Sequence, residues 1–177
     1  MDLFEIKETL STFQVLTDTR EHQTPKATER YQAFGVPHKR VTLRYGDYCG
    51  MVTLPGGDLY DTSVTISPCC VIERKMSLDE AAACFTRGRA RFEREFTRAI
   101  DAKAKIYLLI ENGSWEAIIN HRYRSRFTPQ AFMASLTAWT VRYDITPIFC
   151  KAPTSGKLIK EILYRDMKER LERGEYG

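Results

Sequence analysis

The sequence contains no Cys-x-x-Cys pair, and its five cysteines (Cys49, Cys69, Cys70, Cys84 and Cys150) are odd in number. That spacing argues against a zinc site, and the odd count against a disulfide framework, so a reducing compartment is expected. Long apolar runs are also missing: the longest clean one, Ile106 to Ile110, is far too short to span a membrane. The first ten residues carry Asp2, Glu5 and Glu8, which does not suit a signal peptide. No internal repeat and no low-complexity tract is present. A large excess of one charge is absent as well. With 27 basic and 23 acidic residues the net charge is +4, which points to a polyanionic partner only if the basic residues cluster. What is plentiful is apolar. Hydrophobic residues make up 43% of 177, enough to pack a core, so a folded chain and a single domain are expected.

The most informative stretch is Val71-Ile72-Glu73-Arg74-Lys75, followed by Met76-Ser77-Leu78-Asp79. Val71 to Lys75 reads as a buried strand. Residues two apart in a strand share a face, so Glu73 and Lys75 project together and Arg74 points the other way. A carboxylate and an ammonium in a central strand are costly to desolvate without partners or a task. Ser77 with Glu80 reads as a capping box, so a helix starts there with Asp79 in its first turn. Strand, Glu-x-Lys, short turn and helix is a layout in which a metal-dependent nuclease can hold its ion and its attacking water. Phosphodiester hydrolysis needs a divalent ion to neutralise developing charge and activate water. Magnesium takes oxygen ligands, usually with one or two carboxylates from the protein. Glu73 supplies one, and Gly46-Asp47-Tyr48 is the best source of the second. Lys75 would orient the water or stabilise charge on the phosphate. Taken alone, the tripeptide is read more simply as a strand-end ion pair.

Three blocks carry more than one. Asp18-Thr19-Arg20-Glu21, then Gly46-Asp47, then Glu73-Arg74-Lys75-x-x-x-Asp79 occur in that order, each after or inside an apolar run. This pattern resembles the XPF-type (XPF/Hef-like) structure-specific endonucleases, over roughly residues 13 to 173. The resemblance implies an α/β fold with a restriction-endonuclease-like core, a central mixed β-sheet flanked by helices. It also implies magnesium or manganese as cofactor and hydrolysis of branched or flapped DNA in repair, recombination or replication-fork processing. Carried onto this sequence, Asp47, Glu73 and Asp18 are the expected metal residues. Lys75, Arg20, Arg74 and Asp79 complete the expected catalytic set, with Arg20 and Arg74 steering phosphate or bracing carboxylates. The sequence departs from the pattern in one respect. The gap from Asp47 to Glu73 is 73 − 47 = 26 positions and holds Leu54-Pro55-Gly56-Gly57-Asp58, a turn signal read as an extended hairpin. Asp58 and Asp61 therefore stand beside Asp47 as alternative ligands, with Asp47 favoured. The expected compartment is the cytoplasm of a bacterial or phage-type host, or the nucleus of a eukaryote.

The remainder is read in order. Residues 1–12 form an N-terminal arm or short helix, and 13–177 the nuclease domain. Phe13 to Thr17 is a strand. Thr24-Pro25 starts a helix that ends at Gly35. Val41 to Tyr45, Met51 to Leu54 and Ser63 to Ile66 are further strands. A helix from Leu78 to about Ala102 is broken near Gly88, with Phe85, Phe92, Phe96 and Ala99 on one face. Arg87, Arg91, Arg94 and Arg98 lie on nearly the opposite face, either as a solvated ridge or as DNA phosphate contacts. Lys105 to Glu111 is a buried, parallel strand, with Glu111 structural. Ser114 caps a short helix. His121 to Phe127 interleaves Arg122, Arg124 and Arg126 with aromatics, which suits a nucleic-acid strand. Thr128-Pro129 starts a helix to Tyr143 with a Phe132, Leu136, Trp139, Tyr143 stripe, read as core or as part of a dimer interface. Ile145 to Cys150 is the last strand, and Thr154 or Ser155 caps the final helix, whose polar tail frays over 174–177.

The expectation is thus a divalent-metal DNA endonuclease working as a homodimer or with a partner protein, without membrane attachment. A partner could supply the helix-hairpin-helix module that many members of the family carry. The alternative is a catalytically inactive DNA-binding or dimerisation scaffold of the same fold. A third reading is a nuclease with the same metal site acting on plain duplex.

Overall fold

The computed structural model describes residues 1–175; Tyr176 and Gly177, at the end of the expected domain and of its frayed tail, lie outside the described residues. Six strands form a mixed central sheet in the order β2-β1-β3-β6-β7-β8, the α/β class the sequence implies. Two compact units make up the chain, Met1–Val71 with Gly156–Gly177, and Ile72–Ser155.

In the first unit, α1 (Leu3–Ser11) opens on a reciprocal cap between Asp2 and Glu5 and buries Ile6 and Leu10. Strand β1 (Gln14–Asp18) follows and is buried from Val15 onward. Helix α2 (Pro25–Ala33) begins as the sequence predicts, with the Thr24 hydroxyl accepting from Ala27 N–H and Pro at the first helical position. Strand β2 (His38–Val41) runs parallel to β1, with Val15 opposite His38 and Asp18 opposite Val41. Strand β3 (Tyr48–Met51) runs antiparallel on the other side of β1.

Two expected strands are absent. The sheet leaves β2 at Val41, and residues 42–45 make only a single parallel bridge, Leu43 with Ile66. The reason is local: the Leu43 N–H donates to the Asp18 carboxylate at 2.8 Å instead of to a neighbouring strand. Residues 63–66 form no strand because both the N–H and the hydroxyl of Ser63 turn back onto Asp61. The extended hairpin is instead a tight one, β4 (Thr53–Leu54) against β5 (Gly57–Asp58) around Pro55-Gly56. Strand β6 (Cys70–Lys75) is buried as expected, Arg74 alone being half-buried.

The last helix, α7 (Ala152–Arg173), starts earlier than Thr154 or Ser155. Ser155 lies inside its first turn, buried, with its hydroxyl bonded to the Ala152 carbonyl. The Ala152 N–H donates to the Asn112 side chain at 3.3 Å. In the first unit, α7 meets α2 at Gly156, where an added Cβ would fall 2.4 Å from the Arg30 carbonyl oxygen.

The second unit holds α3 (Leu78–Phe85), α4 (Arg89–Asp101), β7 (Lys105–Glu111), α5 (Trp115–Ile119), α6 (Pro129–Tyr143) and β8 (Ile145–Cys150). The expected break at Gly88 separates α3 from α4. Strands β7 and β8 are parallel and in register from Ile106–Ile145 to Glu111–Cys150. Helices α3, α4 and α6 close on an aromatic cluster. The Trp139 ring lies 4.3 Å from Phe85, 5.3 Å from Phe96 and 6.1 Å from Phe92. Phe132, Leu136, Trp139 and Tyr143 are all buried within the unit, so the stripe on α6 is core and does not serve as an interface.

Trp139→Ala is expected to cost about 3–5 kcal/mol, since it empties the middle of this cluster. Gly156→Ala should cost about 1–3 kcal/mol through overpacking. Urea unfolding midpoints measure both, and an unchanged midpoint for Trp139→Ala would contradict the packing described.

Candidate active site

Asp18 ends β1 and is 1% exposed. Its carboxylate is enclosed by four donors. One oxygen accepts from Arg20 N–H and Arg20 Nε, both at 2.7 Å. The other accepts from Leu43 N–H at 2.8 Å and Arg20 Nη2 at 3.2 Å. A carboxylate offers about four lone-pair positions, so these contacts fill the group. Arg20 also reaches the Leu43 carbonyl at 3.1 Å. It clasps the turn after β1 to residues 42–43, bracing a carboxylate as the sequence reading allowed.

Asp47 is half-buried at the entry to β3, and its carbonyl accepts from Asp18 N–H at 2.8 Å. Gly46 before it has φ +72°, and a Cβ there would sit 2.6 Å from Val71 Cβ. Backbone conformation and close approach therefore both require glycine beside the carboxylate. Tyr45 bonds the Pro68 carbonyl at 2.8 Å, and burial pushes its phenol up to about 12. Tyr48 donates to Glu21 at 2.7 Å, and Arg30 lies 3.6 Å from the same carboxylate oxygen. Sequence reading missed the roles of Tyr48 and Arg30; the adjacency of Tyr48 to Gly46-Asp47 was the only available signal. Asp58 and Asp61, the alternative ligands, are exposed and engaged locally. Asp58 accepts from the Thr53 hydroxyl at 2.7 Å, and Ser63 lowers the pKa of Asp61 through its hydroxyl and N–H.

In the second unit, Glu73 and Lys75 lie on one face of β6 as the period-two reading predicts, both buried, with Lys75 Nζ bonded to Glu73 Oε1. The ammonium also lies 4.5 Å from the centre of the Phe92 ring. Arg74, on the other face, pairs with buried Glu111 at 3.1 Å. Ser77 caps α3 through Glu80 N–H, while the Glu80 carboxylate reaches back to Met76 N–H at 2.7 Å, one residue beyond the expected capping box. Asp79 turns toward the arginine-rich segment and accepts from Arg124 N–H and Ser125 N–H.

Of the basic candidates, Arg87, Arg91 and Arg94 are exposed and Arg98 is half-buried. Glu93 pairs with Arg89 at 2.9 Å and Arg142 at 3.6 Å, and among the described residues none of the four makes an ion pair. Arg122, Arg124 and Arg126 are all exposed.

The donors present are hard oxygens, the type that suits magnesium or manganese. Among the described residues no three His, Cys, Asp or Glu side chains gather in a metal-ligating group. Asp18, with its lone pairs filled, fits direct ligation poorly.

If the Asp18 carboxylate is chiefly a clasp, Asp18→Ala should destabilise the protein by about 3–5 kcal/mol, because Arg20 and two backbone N–H groups lose their acceptor. The measurement is urea unfolding in a chelator, where a ligand-only role would leave stability within about 1 kcal/mol.

Comparison with solved structures finds the same fold in "XPF from Aeropyrum pernix", at 24% identity and a TM-score of 0.59, over 91% of this chain and 68% of that one. The same protein in complex with DNA matches at 22% identity and a TM-score of 0.60, over 88% of this chain and 65% of that one. This chain thus spans about two thirds of the length of each. Comparison with the curated proteins finds no match. The ERCC4 domain matches residues 17–162, which includes both Asp18 to Glu21 and the whole run from Gly46 to Asp79, and the chain belongs to the ERCC4 domain family.

Proposed function

We propose that this chain is a divalent-metal-dependent endonuclease that hydrolyses phosphodiester bonds in branched or flapped DNA. The observation that carries the proposal is the buried Glu73–Lys75 pair on β6. Well-packed apolar residues would commonly be as stable or more so at such positions, so a buried ion pair here is read as serving a task. Family membership and the likeness to a fold solved with DNA support the same reading.

Asp47 and Glu73 would hold magnesium or manganese. When bound, the ion supplies charge neutralisation at the phosphate and a lowered pKa for a bound water. Lys75 is held against Glu73 and over Phe92, which fixes its ammonium in place to donate a hydrogen bond to a water or a phosphate oxygen. Arg74 is braced by Glu111. The exposed arginines on α4 and in 121–127 supply the sequence-independent phosphate attraction such an enzyme needs. Pairing with a second copy or a partner protein is part of the proposal and is read by sizing the protein in solution, alone and with DNA.

Labelled splayed-arm, 3′-flap, Holliday-type and linear duplex DNA, incubated with magnesium or manganese, test the proposal. Wild type should cut branched DNA in preference to duplex. Asp47→Ala and Glu73→Gln should each slow cutting by about 100-fold or more, roughly 2.7 kcal/mol of barrier. Cutting that survives Asp47→Ala would move the ligand to Asp58 or Asp61. Equal cutting of plain duplex would favour the third reading, and binding without cutting the scaffold.

A further inference from the structure

The last residue of the signature, Asp79, makes contacts that a metal ligand would not. One carboxylate oxygen accepts from two successive backbone amides, Arg124 N–H at 2.8 Å and Ser125 N–H at 2.7 Å. The other oxygen faces Arg124 Nε at 3.7 Å. Consecutive N–H groups converging on one anion make a backbone nest. A divalent cation at the second oxygen would have to share it with a guanidinium.

The nest belongs to a segment that has no helix or strand of its own and is held at several points. His121 Nε2 lies 2.9 Å from the Ser125 carbonyl, which accepts from it when that nitrogen carries the proton. The Tyr123 hydroxyl donates to the Phe127 carbonyl at 2.7 Å. Phe127 stacks on Phe85 at 6.3 Å, and Tyr123 meets Phe132 edge-on at 5.4 Å. Burial and the Asp79 charge together raise the Tyr123 phenol pKa. The apolar side chains thus anchor inward, while Arg122, Arg124 and Arg126 remain exposed at alternate positions. A basic loop fixed before it meets its partner avoids the ordering cost that a mobile one incurs on binding.

We infer that Asp79 is a positioning residue, which holds residues 121–127 as a preformed platform for DNA phosphates. This rests on the nuclease reading for its ligand and separates the signature into parts. Asp47 and Glu73 serve the chemistry, and Asp79 serves the grip on substrate.

The test compares wild type, Asp79→Ala and Asp79→Asn by amide hydrogen exchange, by affinity for splayed-arm DNA in chelator over a salt series, and by single-turnover cleavage across DNA and magnesium concentrations. In Asp79→Ala the Arg124 and Ser125 amides should exchange at least about tenfold faster. DNA affinity should fall about tenfold with a shallower salt dependence. In cleavage the loss should appear as a higher DNA concentration for half-saturation, with the magnesium dependence not moving. Asp79→Asn keeps an acceptor oxygen for both amides and should recover protection and most of the affinity. Unchanged exchange or unchanged affinity in Asp79→Ala overturns the inference. So does a lost saturating rate with a shifted magnesium dependence in both variants, which is the signature of a ligand. A wild type that binds none of these DNAs sinks the nuclease reading, and this one with it, before any variant is compared.

Discussion

Three buried carboxylates, Asp18, Glu73 and Glu111, each lie at or within two residues of the C-terminal end of a strand, and each is paired with a cation: Arg20, Lys75 and Arg74. A carboxylate can leave water only if donors replace the solvation it gives up. Much of the local architecture follows from that requirement. Asp18 takes the Leu43 amide, which ends β2 at Val41 and sends the chain out of the sheet. Lys75 takes Glu73 and a place over Phe92, so the aromatic core and the charged pair constrain one another. The beginning of α4 is packed as it is partly because an ammonium sits above one of its rings.

The two basic surfaces are built differently. On α4 the arginines stand on a helix whose other face is fixed by Phe92, Phe96 and Ala99, so the backbone there is rigid by its own hydrogen bonds. Residues 121–127 have no such ladder. Their shape depends on a carboxylate from α3, a histidine, a tyrosine and a phenylalanine. The loop is therefore held by side chains distant in sequence, where the helix is held by its own backbone.

Most helices and the strands over residues 70–75, 105–111 and 145–150 were legible because caps, turns and periodicity all agreed with one another. The region from Val41 to Ile66 was not. Val41, Leu43 and Tyr45 are buried, as their alternation implied, yet they form no strand beyond Val41. Alternation reports which side chains face inward; it says nothing about where the amides donate, and one side-chain acceptor was enough to break the ladder. The site was legible in part for the same reason. Glu73 and Lys75 share a face through local geometry alone. The contact of Asp79 with Ser125 spans 46 positions, and no local period encodes it. The start of α7 was misplaced because Ser155 resembles a cap, while the acceptor nearest the first turn, Asn112, lies 40 residues away in sequence.

None of the five cysteines is in a disulfide, and three of them are buried thiols held in their protonated form. Burial raises Cys49 and Cys70 in the first unit far above the usual thiol range, and pushes Cys84 in the second up to about 12. Since the thiolate is the reactive species, these side chains are chemically silent while the surrounding structure stays closed. Each becomes reactive only when its surroundings open. The native sequence therefore contains its own clocks for local unfolding. The rate at which a thiol reagent modifies Cys49 or Cys70 times the opening of one unit, and the rate at Cys84 times the other, with no label or substitution introduced.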